Sequence, residues 1–156
     1  MRIKTAFFLW LMPVLFTLIS CEKDDVCLSP TTPKLLITFN NSTNVDERSE
    51  VSDLTVISLP DNDTIYSAQT KDSIAIPLNV NANNCKYILA ESSNRDTLQI
   101  NYQREDVFVS KACGYKTIFH SIQIDKITDN QNWIFDLIPL QSNIIDEKLA
   151  HVKVLH

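Results

Sequence analysis

From Lys34 onward, apolar side chains return at every second position, and that rhythm restricts the chain to strands with one buried face. "KLLITF" aligns Leu35, Ile37 and Phe39, and "DLTVISL" supplies Leu54, Val56 and Ile57. "DSIAIPLNV" sets Ile74, Ile76, Leu78 and Val80 against Ser73, Ala75, Pro77 and Asn79, with Pro77 marking an edge. "KYILAE" is short and mostly apolar, "DTLQINYQ" aligns Leu98, Ile100 and Tyr102, and "YKTIFHSIQI" is long. "WIFDLIPL" and "HVKVL" follow, the latter with Val152 and Val154 inward. About eight strands at this spacing predict an all-β fold, an immunoglobulin-like antiparallel β-sandwich over residues 34–156. A small up-and-down barrel is the alternative.

The connections must be made almost without glycine, because Gly114 is the only one in 156 residues. "FNNSTN", "PDNDT", "NANN", "SSNRD" and "TDNQN" put Asn and Asp in that role, since both tolerate the left-handed region and close turns with their side chains. Gly114 itself is expected at a bulge or a positive φ. "NIIDEKLAH" has room for one helical turn before the last strand.

The first twenty residues have a different logic. Arg2 and Lys4 precede an apolar run from Ala6 to Ile19, too short and wrongly flanked for a membrane span, which is the pattern of a secretory signal. Its exit, Leu18-Ile19-Ser20-Cys21, resembles the bacterial lipobox. That resemblance implies cleavage before Cys21 and acylation of its thiol. Two or three acyl chains, each buried methylene contributing about 0.8 kcal/mol, hold a protein on a bilayer essentially permanently. The expected organisation is a signal over residues 1–20, a lipidated tether over 21–33 and the sandwich beyond, with the lipid as the membrane contact. Losing Arg2 and Lys4 makes the formal charge of −5 more negative still, which argues against nucleic acid or anionic lipid headgroups as partners. Glu22-Lys23-Asp24-Asp25 resembles a surface-export signal of some Gram-negative lipoproteins. The expected location is therefore the bacterial outer membrane, surface-exposed or periplasm-facing.

Outside the cytosol thiols pair when geometry permits. With Cys21 acylated, Cys27, Cys85 and Cys113 remain, which allows one disulfide and one free thiol. Cys113 stands at the entrance of a strong strand, and a Cys27–Cys113 bond would staple the tether to the sheet and stabilise by about 4 kcal/mol. Cys85, which also opens a strand, competes for the same partners; left unpaired, it becomes a buried free thiol.

"CEKDDVC", "TTPKLLITF", "VFVSKACGYKTIF" and "EKLAHVKVLH" together resemble a family of short bacterial outer-membrane lipoproteins known only as a domain of unknown function. The resemblance runs from Cys21 to the end, and "ACGYKTIF" is its most specific part. It implies pairing of Cys27 with Cys113, and it implies an envelope partner such as an outer-membrane barrel protein. It implies no activity or ligand, and Cys85 and His120 match none of its motifs.

Catalytic chemistry finds little support. Nucleophile elbows, phosphate loops and dinucleotide fingerprints need several glycines. No two Cys or His residues have metal-ligand spacing, and no cofactor is implied. His120, in phase with Ile118 and Ile122, reads as structural, and His151 and His156 fall on opposite faces of a strand. Glu105 and Asp106 are adjacent and diverge on an extended chain, so they read as a turn rather than a glycosidase pair. Trp133 is in phase with Phe135 and Leu137 and reads as core; exposed, it would join Tyr115 and Tyr66 as platforms for stacking on sugar. Thr64, Ser73 and Thr97 each sit in an Asp-Ser/Thr-aliphatic tripeptide that resembles an O-glycosylation pattern of exported bacterial proteins. The sequence thus reads as a non-enzymatic, lipid-anchored envelope module, with glycan binding as the alternative and a hydrolase a distant third.

Overall fold

A computed structural model describes residue 27, residues 31–127 and residues 133–156. The signal, Cys21 and most of the tether lie outside the described residues. Nine strands form two sheets: β1 (Leu35–Asn40), β2 (Val51–Leu59), β3 (Thr64–Lys71), β4 (Ser73–Ile76), β5 (Asn84–Glu91), β6 (Asn94–Ser110), β7 (Gly114–Ile127), β8 (Asp136–Pro139) and β9 (Val152–Leu155). The four-stranded sheet has the order β4-β1-β9-β8 and the five-stranded sheet β3-β2-β5-β6-β7. Every pairing is antiparallel except β1 with β9. The expected all-β sandwich is what forms, with β3 as a ninth strand that alternation missed.

The register explains why these strands stay put. Leu35 lies opposite Ile76, Ile37 opposite Ile74 and Val152, and Phe39 opposite Val154, so one face of this sheet is wholly apolar. The facing sheet answers with Leu54, Val56, Tyr87, Leu89, Leu98, Ile100, Tyr102 and Phe119, all buried. A one-residue slip would turn each set into water, and full burial of each large aliphatic side chain is worth about 1.5–3 kcal/mol. Pro77 follows β4 directly, and β4 is an edge strand, as its proline requires.

Bulges bend the second sheet. Among the described residues five non-glycine positions have positive φ: Asp53, Asn62, Ala68, Ser92 and Ser121. Only two of them are Asn or Asp, so the expectation that these residues carry the left-handed positions holds in part. Asp53, Ala68 and Ser121 lie where the pairing register shifts, so the bulge imposes the conformation there. "NIIDEKLAH" forms no helical turn; Ile144 instead makes an isolated bridge to Phe119.

Candidate functional site

The longest element is the one whose extent the alternation did not show. β6 runs for 17 residues and pairs with β5 only from Asn94 to Asn101. From Gln103 to Ser110 it pairs with β7 alone, forming an arm that extends past the rest of its sheet. Glu105 and Asp106, read as a turn, are strand residues inside this arm, opposite Ile118 and Thr117. Their carboxylates do diverge. The Glu105 Oε2 meets His120 Nε2 at 2.9 Å, and the Asp106 Oδ1 accepts the Thr117 hydroxyl at 2.7 Å.

His120 also departs from its expected phase. The bulge at Ser121 inserts one residue into β7, so Phe119 and Ile122 both face the core while His120 faces outward. There it lies between Glu105 and the Asn143 Oδ1, 3.3 Å from its Nδ1. Both partners are solvent-accessible, so this contact adds little to stability.

The arm ends in a tight turn through Lys111, Ala112 and Cys113, where the Ser110 hydroxyl oxygen accepts the Cys113 N–H at 3.0 Å. Gly114 has φ +69°, a conformation that L side chains rarely adopt, which accounts for the chain's only glycine. Cys113 is bonded to Cys27. A second stitch follows from the same approach, because the Thr32 hydroxyl oxygen accepts the Thr117 N–H at 3.0 Å. β7 is the edge of its sheet, and its outward groups are satisfied by Thr32 and by Ser142 and Ile144. Thr32 and the 142–144 segment thereby cover part of an edge that would otherwise recruit other strands. At the tip, Phe108 lies opposite Tyr115, their rings edge-to-face at 5.4 Å, and the two are 56% and 71% exposed.

The other aromatic candidates lie elsewhere. Trp133 packs against the core beside Phe39 and His156, and its indole N–H donates to the Leu89 carbonyl at 3.0 Å. The core reading of Trp133 holds, and its ring is no free platform. It precedes β8 rather than belonging to it, so the strand predicted over "WIFDLIPL" is shorter than its apolar run. Tyr66 is partly buried, its hydroxyl accepting the Ala75 N–H at 3.1 Å. It borders a groove of about 380 Å³ on the outer face of the four-stranded sheet, with Leu36, Thr38, Arg48, Lys71 and Ala150. Tyr115 alone among the three is widely exposed. Thr64 and Ser73 are exposed at the starts of the edge strands β3 and β4, whereas Thr97 is half-buried between β5 and β7.

Two interior polar sites escaped the sequence reading. Asp96 stands on the core face two residues before Leu98, completely buried, and its Oδ2 accepts the N–H groups of Trp133 and Ile134, each at 2.8 Å. Its place in the Leu98–Ile100 phase was the available signal. His151 is also buried, and its Nδ1 accepts the Leu36 N–H at 2.9 Å while the His151 backbone N–H donates to the Leu36 carbonyl. Cys85 is the free, buried thiol, and desolvation pushes its pKa up. Burial raises the neighbouring Tyr87 and Tyr102 phenols as well, with the nearby Cys85 adding to it. Their hydroxyls donate to the Pro77 and Asn79 carbonyls and pin the crossover between the sheets. Among the described residues no three metal-ligating side chains gather, and no helix is long and apolar enough to cross a membrane.

The molecule thus brings Cys27, Cys113 and Tyr115 together and scatters the remaining candidates. No curated protein and no solved structure matches the chain. A family model does match, over residues 53–156, a span that contains both strands of the arm, and the chain belongs to this family of unknown function (DUF6452).

Proposed function

We propose that the chain is a lipid-anchored, extracytoplasmic β-sandwich of the bacterial outer membrane that serves as a non-enzymatic interaction module of the envelope. The observation that carries this reading is the Cys27–Cys113 bond. Disulfides persist in oxidising compartments, and this one fastens the body to a point six residues past Cys21, the thiol that the lipobox pattern marks for acylation. The paired arm and its exposed aromatic tip are the kind of surface that serves binding. The dispersed carboxylates offer no convergent acid and base.

The test is metabolic labelling with palmitate followed by envelope fractionation. Label should enter the protein, and Cys21→Ser should lose the label and leave the membrane fraction. Equal attachment of the variant would refute the anchor. Crosslinking on intact cells should then recover one envelope protein in stoichiometric amount, and its absence would refute the interaction module.

A further inference from the structure

We infer that the arm tip is a membrane foot: Phe108 and Tyr115, flanked by Lys111 and Lys116, rest at the boundary between headgroups and acyl chains of the bilayer that holds the chain. This rests on the anchor proposed above. The argument starts from reach. Five residues lie between Cys21 and Cys27, and a fully extended chain covers at most about 3.3–3.6 Å per residue, so the Cα of Cys27 stays within about 21 Å of the Cα of the lipidated Cys21. Tyr115 is two residues beyond Cys113 and Phe108 is its cross-strand neighbour, so both side chains are held in the same narrow zone.

Chemistry then selects the occupant. Residues 107–116, "VFVSKACGYK", contain two lysines and no acid in a chain of net negative charge. Amphipathic aromatics beside basic residues favour the water–lipid boundary, where a ring can bury its faces and a phenol can stay wet. Both rings are more than half exposed, and Gly114 and the disulfide hold the turn that presents them. The tip is therefore positioned as a second, non-covalent contact that sets the orientation of the body above the membrane.

The test uses the full lipidated protein carrying Phe108→Trp, an aromatic exchange at an exposed site, reconstituted into vesicles of phosphatidylethanolamine and phosphatidylglycerol with brominated acyl chains. Mass analysis of the N-terminal peptide records whether Cys21 is acylated. Acylated protein should lose most of the added tryptophan emission in brominated vesicles, while the unsubstituted protein, reporting Trp133, should not. Adding Tyr115→Glu should restore the emission. Acylated protein with unquenched emission overturns the foot and leaves the anchor standing, whereas an unacylated Cys21 overturns both. Emission that shifts with soluble cell-wall sugar fragments but not with brominated lipid also overturns the foot, in favour of glycan stacking.

Discussion

His151 is an imidazole held inside the protein as an acceptor, and its protonation has a cost that the fold must bear. Burial lowers its pKa below the ordinary 6.5, against the smaller opposing pull of the Asp146 backbone and the Asp146 and Glu147 carboxylates. The unfolded chain therefore binds the proton first. Stability contributed by the neutral ring is fully present above about pH 6.5 and declines as pH falls from there toward the folded value. Denaturant midpoints measured across that window should fall with pH in the native protein and flatten in His151→Asn, which keeps an acceptor without the titration. His151→Leu, leaving the Leu36 N–H unpaired, should cost about 1–3 kcal/mol at neutral pH. Asp96 is the second such residue: Asp96→Ala strands two buried N–H groups and should lower unfolding free energy by about 2 kcal/mol or more. Near-native values for these two variants would show that solvent reaches the sites. Both residues were visible in the sequence only as letters in a strand motif, because nothing local indicates which distant N–H a carboxylate or imidazole will meet.

Among the elements, the β6–β7 arm shows where reading by period ends. Period-two alternation found β1, β4, β5 and β7 because one face of each is apolar. It missed β3, an edge strand mostly facing water, and it cut β6 short, because Arg104, Glu105 and Asp106 break the pattern where β6 leaves the core. It also left open whether His120 faces the core or the sheet edge, since a bulge inverts phase and Ser121 gives no local sign of one. Cysteine number called for one disulfide without choosing its partners, and the resemblance implied the pairing of Cys27 with Cys113 that forms. That bond closes a loop with a sequence separation of 86, for which the chain-entropy model gives about 4–5 kcal/mol. Cys27→Ser should lower the denaturant midpoint accordingly, and reductant should have the same effect on the native protein but none on the variant. A variant as stable as the native protein would show that the two stitches to Thr32 and to the 142–144 segment hold the edge alone.

At the scale of the whole molecule, the two sheets share one core but close differently. The five-stranded sheet is built of hairpins, β2–β3 and β5–β6–β7, whose partners are near in sequence. Its companion depends on β1 finding β4 and β9, and the Ile37–Val152 register spans more than a hundred residues. No period or spacing in the sequence announces that parallel pair. Ending the chain at Ala150 should therefore remove far more than four strand residues. It should expose β1 on one side and β8 on the other and replace cooperative unfolding by a broad transition, read by circular dichroism and calorimetry. A sharp transition in the shortened protein would mean that the hairpin sheet carries the fold unaided.

The central position of β9 also has a temporal meaning. A polypeptide is synthesised from its first residue onward, and here the four-stranded sheet has no middle until residues 152–155 arrive. The growing body stays pliable until then, and β9 is the segment that lets it set.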